Sequence, residues 1–142
     1  METFGDWNSP DAVIKAADLA EQMREICFKK KERLYFETVL SAPDKVHFIH
    51  RAKDAGYFIR LFFVGTDTPM INAARIARRV MEGGHDVPIT KIISRYTKSI
   101  SNCCITAKCT DRAYVYDNST EFAEPKLLFR VVNGKLEKQY LE

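Results

Sequence analysis

Residues 57–65 read Tyr57-Phe58-Ile59-Arg60-Leu61-Phe62-Phe63-Val64-Gly65, an almost continuous apolar run that ends at a glycine. Such a run is typical of a strand that is buried on both faces of a parallel sheet. Two further strands are predicted at residues 34–40 and 112–117, and helical patterns separate the three. Strands that alternate with helices predict a three-layer α/β fold with a mainly parallel sheet and right-handed crossovers.

Helix signals precede and connect these strands. Ser9 is predicted to cap a first helix that has Pro10 in its first turn and closes at Lys29-Lys30-Lys31. The other three helices are predicted from Ser41-Ala42-Pro43-Asp44 to Gly56, from Thr68-Pro69 to Gly83-Gly84, and from Pro88 onward. In the fourth helix the apolar face is formed by Ile89, Ile92, Ile93, Tyr96 and Ile100.

The C-terminal residues predict a β-hairpin. Residues 127–132 and 136–140 flank Asn133-Gly134, a dipeptide that favours a tight two-residue turn. The chain has 142 residues, which is enough for one domain with a buried core but too few for two. Residues 1–142 are therefore predicted to form a single domain.

The composition is that of an ordinary soluble globular protein, with 46% hydrophobic and 29% charged residues. The net charge of +3 is too small to predict a nucleic-acid partner, so an anion site would require local clustering of basic residues. No apolar run approaches the length of a membrane span, and the first residues lack the features of a signal peptide. We therefore expect a cytoplasmic protein that binds neither nucleic acid nor membrane.

The four cysteines, at positions 27, 103, 104 and 109, do not form a metal-binding pattern. No two of them have the Cys-x-x-Cys spacing, and His47, His50 and His85 lie far from them in the sequence. We expect buried or half-buried reduced thiols and no metal site.

Polar residues follow each of the three predicted strands. The first strand leads to Glu37-Thr38 and Ser41, the second to Gly65-Thr66-Asp67, and the third to Asp117-Asn118-Ser119. Ligands of open α/β sheets bind beyond the carboxyl ends of the strands, so these residues predict a shared cleft. The same residue types also build ordinary turns, and each segment alone fits either interpretation.

Two predicted helices carry stripes of basic residues at three- and four-residue spacing. These residues are Arg75, Arg78 and Arg79 on the third helix and Lys91, Arg95 and Lys98 on the fourth. A short, glycine-containing connection, residues 83–88, joins the two helices and is predicted to be flexible. The pair would form a lid, about residues 75–98, that closes on a polyanion, because arginine grips phosphate oxygens well. The alternative is two solvated helix faces.

Two segments resemble the zeta-toxin family of P-loop kinases. One is residues 57–69, continued by Ile71-Asn72 and Ala74-Arg75. The other is Arg78-Arg79-Val80-Met81-Glu82-Gly83-Gly84-His85-Asp86-Val87-Pro88, with Lys91-Ile92 and Arg95-Tyr96. Residues 36–41 and 111–119 match in the expected order, and the resemblance extends from about Pro10 onward. The glycine-histidine-valine-proline segment flanked by arginines is its most specific part.

The resemblance implies a P-loop phosphotransferase fold that uses ATP and Mg²⁺. In characterised members the acceptor is a sugar hydroxyl of UDP-N-acetylglucosamine, and these members are often toxins of bacterial toxin–antitoxin pairs. Carried over by position, the resemblance implies catalytic lid arginines at Arg79 and Arg95, with Arg79 preferred to its neighbour Arg78. It also implies substrate-binding residues at Glu37, Thr38, Ser41, Arg75 and His85, and nucleotide-binding residues at Asp117 and Asn118.

One hallmark of the family is missing from the sequence. None of the six glycines belongs to a Gly-x-x-x-x-Gly-Lys pattern, and only Gly134 precedes a lysine. The family's first strand, phosphate-binding loop and general base are expected upstream of Met1, so the isolated chain is predicted to be inactive. The alternative is a non-catalytic module that binds a UDP-sugar or an antitoxin.

The missing first strand also implies partners. It would leave neighbouring strands with bare edges, and bare edges pair readily with another chain. We therefore expect a second copy of the chain, an antitoxin or a complementing polypeptide at that edge.

Overall fold

A computed structural model describes residues 9–141. The chain divides into an N-terminal unit that ends at Glu37 and a C-terminal unit that begins at Thr38. Among the described helices, none combines the length and hydrophobicity that a membrane-spanning segment needs. The single-domain prediction stays a prediction.

The N-terminal unit contains one helix, α1 (Pro10–Lys30). Ser9 caps its start, since the Ser9 Oγ accepts a hydrogen bond from the Ala12 amide at 3.2 Å. Lys31 ends the helix in the left-handed conformation, with φ of 56°. Both predicted helix ends are therefore confirmed.

The first predicted strand is wrong. Residues 32–40 form neither helix nor strand, and Tyr35 and Val39 are exposed. Leu40 has φ of 61°, a left-handed conformation that a regular strand does not contain. Its amide binds the Thr38 Oγ1 at 3.2 Å instead of a neighbouring strand. Aromatic and β-branched residues favour a strand only when another strand pairs with them, and none in the described chain does.

The C-terminal unit contains three helices and a four-stranded sheet in the order β1-β2-β3-β4. The helices are α2 (Pro43–Asp54), α3 (Pro69–Met81) and α4 (Ile89–Cys109). The strands are β1 (Arg60–Gly65), β2 (Arg112–Asp117), β3 (Lys126–Val132) and β4 (Lys135–Gln139). The mixed α/β class is therefore confirmed.

The sheet is mixed, and a mainly parallel sheet is not confirmed. β1 and β2 are parallel, and the helices α3 and α4 lie in the chain between them. β3 is antiparallel to β2, and β4 is antiparallel to β3. Parallel neighbours need a crossover of a dozen residues or more, whereas β3 follows β2 after the short segment 118–125.

The core of the C-terminal unit lies on one face of the sheet. Leu40, Val46 and Ile49 pack there with Cys103 of α4. Strand residues Leu61, Phe63 and Val115 complete this cluster.

The other face is open within residues 38–141. Phe62 and Val64 alternate with the core residues of β1 and are 56% and 54% exposed. The prediction that β1 is buried on both faces is therefore wrong for this unit, and its helices α2 and α4 form one layer rather than two.

Glycine turns terminate the C-terminal hairpin and α3. Asn133 and Gly134 have φ of 49° and 77°, so the predicted Asn-Gly turn is confirmed. At the end of α3, Gly83 donates to the Val80 carbonyl at 3.0 Å and Gly84 donates to the Arg79 carbonyl at 2.7 Å. This is a Schellman cap, with Gly83 in the left-handed region at φ of 93°. The two glycines, predicted as a flexible hinge, therefore have a defined role in ending the helix.

Candidate functional site

The carboxyl ends of β1 and β2 lie side by side and are joined by their loops. Gly65 and Asp117 are register partners, and the Asn118 amide donates to the Gly65 carbonyl at 2.8 Å. The Asp67 amide donates to the Ser119 Oγ at 2.8 Å. Two of the three segments predicted to share a cleft are therefore bonded directly to each other.

Asp117 has a local structural role at this position. Its Oδ1 accepts hydrogen bonds from the amide of Ser119, at 3.0 Å, and from the Ser119 hydroxyl. Asp-x-Ser is a common turn sequence for this reason. The Asn118 side chain makes no hydrogen bond within residues 9–141. Of the two predicted nucleotide-binding residues, Asn118 is therefore the one whose side chain makes no hydrogen bond in the described chain, whereas Asp117 uses one of its two carboxylate oxygens.

Asn72 connects α3 to the tip of β1. The Thr66 hydroxyl donates to the Asn72 Oδ1 at 3.0 Å. Arg75 and Arg79 follow Asn72 by three and seven residues, so they lie on the same stripe of α3. The two predicted arginines therefore extend along α3 from the end of the strand.

Arg78, the neighbour of Arg79, is already engaged. Its Nη1 donates to the Glu121 Oε1 at 2.7 Å, and its guanidinium lies 5.8 Å from the Phe122 ring centroid. Arg79 is exposed and forms no ion pair within the described part of the chain. This difference supports the preference for Arg79 as the ligand-binding member of the pair.

α4 contacts the same strand tip through Tyr96. The Tyr96 hydroxyl donates to the Thr66 carbonyl at 2.7 Å. Sequence periodicity placed Tyr96 on the apolar face of α4 and gave no signal for this hydrogen bond, because the acceptor is a backbone atom 30 residues away.

α4 also contacts the predicted acceptor segment. The Asn102 Nδ2 donates to the Leu40 carbonyl at 2.8 Å, and Leu40 lies between Thr38 and Ser41. Arg95 precedes Asn102 by seven residues, so it lies on the same stripe about 10 Å along the helix. Arg95 therefore shares a side of α4 with the segment that carries two predicted substrate-binding residues.

Two predicted residues lie outside these contacts. Glu37 belongs to the N-terminal unit, where its carboxylate accepts a hydrogen bond from the Tyr35 hydroxyl at 3.2 Å. That bond, together with the nearby negative charge, raises the pKa of Tyr35. His85 is exposed in the connection between α3 and α4.

The thiols differ in exposure. Cys103 is buried, and burial raises the pKa of its thiol to about 12, so it is not a nucleophile at neutral pH. Cys27 and Cys109 are half-buried as expected, whereas Cys104 is exposed, contrary to the expectation of buried or half-buried thiols.

The Tyr96 bond gives a direct test of the link between α4 and the strand tip. We expect Tyr96→Phe to lower the free energy of unfolding by about 1 kcal/mol, because the Thr66 carbonyl loses its donor. Tyr116→Phe is the matched control, since the Tyr116 hydroxyl makes no hydrogen bond within residues 9–141. Urea unfolding should show a lower free energy of unfolding for Tyr96→Phe and no change for Tyr116→Phe. Equal changes in the two variants would contradict a stabilising hydrogen bond between Tyr96 and Thr66.

A family model described as Zeta toxin matches residues 7–123, which is most of the chain. The chain belongs to the zeta toxin family. The matched region contains all nine predicted site residues and ends in the β2–β3 loop, before the C-terminal hairpin. No curated protein and no solved structure matched the chain. Membership in the zeta toxin family supports a kinase-like phosphotransferase domain.

Zeta toxins typically use ATP and Mg²⁺, and two features of the chain bear on these ligands. Among residues 9–141, no three His, Cys, Asp or Glu side chains cluster as metal ligands do. The Asp117 Oδ1 is occupied by Ser119, and the sequence contains no Gly-x-x-x-x-Gly-Lys loop for phosphate. The sequence therefore contains no phosphate-binding loop of this pattern.

Proposed function

We propose that this chain carries the acceptor and lid side of a phosphotransferase whose acceptor is a sugar nucleotide such as UDP-N-acetylglucosamine. The zeta toxin match supports the reaction class. The observation that carries the proposal is the double contact of α4, which bonds to the β1 tip through Tyr96 and to Leu40 through Asn102. One helix thus joins the predicted acceptor segment to the strand ends where α/β proteins bind ligands.

Arg79 and Arg95 are proposed to bind the diphosphate of the sugar nucleotide. Both side chains are exposed, and neither has an ion pair within the described residues that would have to break first. A guanidinium can donate two parallel hydrogen bonds to phosphate oxygens, which favours arginine over lysine in this role. Half-buried Arg75 lies on the same stripe as Arg79 and would add a third positive charge.

We also propose that the 142-residue chain binds the sugar nucleotide without transferring phosphate. Phosphoryl transfer depends mainly on positioning and on electrostatic stabilisation by a phosphate-binding loop, a lysine and Mg²⁺. The sequence contains no such loop. Any turnover would need these groups from a protein longer than this chain or from another polypeptide.

Calorimetry with UDP-N-acetylglucosamine tests the proposed site. We expect binding that Arg79→Gln and Arg95→Gln each weaken at least about tenfold, since each removes a charge-assisted hydrogen bond. Arg78→Gln is the matched control and should change the affinity less than about twofold, because Arg78 already binds Glu121.

Two outcomes contradict these proposals separately. Equal losses in Arg78→Gln and Arg79→Gln, or no binding at all, would reject the site. Transfer of labelled phosphate from ATP to the sugar nucleotide by the purified chain, abolished in Arg95→Gln, would reject the proposed inactivity while supporting the site.

The alternative function is a partner-binding module, such as one that binds an antitoxin or a second copy. Its support is that β1 is an edge strand of the four-stranded sheet, with one side unpaired within the described residues. A stable dimer in light scattering, together with no binding of the sugar nucleotide, would favour this alternative.

A further inference from the structure

Leu40 has a backbone conformation that leucine rarely adopts. Its φ of 61° lies in the left-handed region, which a bulky side chain disfavours and which glycine or asparagine adopts more readily. Such a conformation persists in a folded chain only where the surrounding structure maintains it, and residues of this kind cluster at binding and catalytic sites. The contacts of Leu40 show how the conformation is maintained.

Three groups of the C-terminal unit hold Leu40. Its side chain is only 3% exposed and packs in the core cluster of this unit. The Leu40 amide donates to the Thr38 Oγ1 at 3.2 Å, and the Leu40 carbonyl accepts a hydrogen bond from the Asn102 Nδ2 at 2.8 Å. Both polar groups of the Leu40 backbone are thus bound by side chains rather than by a neighbouring strand.

Asn102 makes the long-range contact of the three groups. It lies on α4, 62 residues from Leu40 in the sequence, and its own carbonyl accepts a hydrogen bond from the Thr106 hydroxyl at 2.6 Å. Because α4 also bonds to the Thr66 carbonyl through Tyr96, a single helix sets the position of Leu40 relative to the tip of β1. A side-chain amide suits this contact because, unlike a carboxylate, it can donate a hydrogen bond to a carbonyl oxygen.

We propose that Asn102 is a positioning residue of the sugar-nucleotide site, a role that rests on the function proposed above. Thr38 and Ser41, both predicted to bind substrate, lie two residues before and one residue after Leu40. Their backbone positions depend on the peptide group that Asn102 holds. Asn102 does not touch the substrate in this role. It keeps residues 38–41 in their binding conformation before the ligand arrives, so that binding does not have to order them.

The Leu40 amide also fixes the polarity of the Thr38 hydroxyl. The Thr38 Oγ1 accepts a hydrogen bond from that amide, so the hydroxyl proton remains for donation. Thr38 would therefore donate to an acceptor atom of the substrate, such as a phosphate or carbonyl oxygen of the sugar nucleotide. If Leu40 left the left-handed conformation, this hydroxyl would lose both its partner and its orientation. The effect of Asn102 on the ligand is thus transmitted through Leu40 and Thr38.

A merely structural role for Asn102 makes a different prediction. Ligand affinity would then follow the stability of the fold, whichever hydrogen bond was removed. A positioning role instead predicts a larger loss of affinity than in an equally destabilised variant elsewhere. Asp111→Ala supplies that comparison, because Asp111 holds the starts of β1 and β2 together, at the end of the sheet opposite the proposed site.

Calorimetry with UDP-N-acetylglucosamine and amide hydrogen exchange, both on the full 142-residue chain at neutral pH, test the positioning role. Asn102→Asp keeps the shape of the side chain but has no donor for the Leu40 carbonyl. We expect this variant to bind about tenfold more weakly, the loss for a segment that occupies its binding conformation about a tenth of the time. Its Leu40 amide should also exchange faster than in the wild type.

Two further variants separate position from stability. Asn102→Gln restores an amide donor on a longer side chain and should bind the sugar nucleotide more tightly than Asn102→Asp does. Asp111→Ala should change the affinity less than about twofold where circular dichroism shows it folded, because a distant site acts independently. Urea unfolding of Asp111→Ala should nevertheless show a loss of stability at least as large as that of Asn102→Asp.

The outcomes distinguish this role from the site on which it rests. No binding by the wild type would reject the sugar-nucleotide site and the role of Asn102 with it. Binding that Arg95→Gln weakens but Asn102→Asp leaves unchanged would overturn the positioning role alone. Equal losses of affinity in Asn102→Asp and Asp111→Ala would also overturn it, because stability would then account for both. Equal losses in Asn102→Asp and Asn102→Gln would do the same, since the donor would then make no difference.

Discussion

Replacing Gly134 with alanine should lower the free energy of unfolding by about 2–4 kcal/mol. Gly134 has φ of 77°, a left-handed conformation that an alanine side chain disfavours. The added Cβ would also lie 2.6 Å from the Lys108 carbonyl oxygen at the end of α4. Because that neighbour is a backbone atom of a helix, either the turn or the end of α4 must move.

Gly56→Ala is the matched control for Gly134→Ala. Gly56 also has a left-handed conformation, with φ of 91°, but an added Cβ would meet no atom within 4 Å. The Gly56→Ala variant should therefore lose only about 1 kcal/mol of its free energy of unfolding, because alanine disfavours the left-handed backbone conformation. Comparing the two variants by urea unfolding separates the effect of the left-handed backbone conformation from that of the contact between the added Cβ and the Lys108 carbonyl oxygen. Equal losses would show that the contact with Lys108 contributes nothing to the effect.

Features that depend on neighbouring residues were predictable from the sequence. The Ser9 cap and the Asn133-Gly134 turn each depend on atoms within a few residues, and both are confirmed. The Gly83-Gly84 pair was recognised as the end of α3, but its predicted role as a hinge overlooked the cap that the two amides form.

Features that depend on tertiary packing were not predictable in the same way. The apolar run of β1 does not show which side is covered, and Phe62 and Phe63 look equivalent in the sequence although they lie on opposite faces of the sheet. Residues 34–40 have strand-forming side chains, but no strand in the described chain pairs with them.

The candidate site likewise combines residues that the sequence indicated with tertiary contacts that it did not indicate. The resemblance indicated Arg79 and Arg95, and helical spacing alone could not separate Arg79 from Arg78. The Glu121 carboxylate, 43 residues away in the sequence, is what distinguishes them. Likewise, the contact of Asn102 with Leu40 joins segments 62 residues apart, and no local pattern indicates it.

Asp111→Ala should lower the free energy of unfolding by about 1.5–3 kcal/mol, because a partly buried amide loses a charged acceptor. The Asp111 carboxylate accepts hydrogen bonds from the Lys53 Nζ at 2.6 Å and from the Ile59 amide at 2.7 Å. The Asp111 amide also donates to the Ile59 carbonyl at 3.1 Å. Asp111 therefore holds the starts of β1 and β2 together. Lys53→Met should lower the free energy of unfolding by less than about 1 kcal/mol, since the Lys53 side chain is 41% exposed and its ion pair with Asp111 is therefore weakened by solvent.

The contribution of the Asp111 charge should vanish in acid. The hydrogen bond and ion pair with Lys53, followed by the Ile59 amide, lower the pKa of Asp111 in the folded chain. A carboxyl whose folded pKa is lowered stabilises the fold above its ordinary pKa of about 4 and loses that contribution as the pH falls through the folded pKa. In urea unfolding, the difference between the wild type and Asp111→Asn should stay constant above about pH 5 and shrink below about pH 4. A difference that grows on acidification would mean that the folded chain binds this proton more tightly than the unfolded chain does, which is incompatible with a carboxylate held by Lys53 and Ile59.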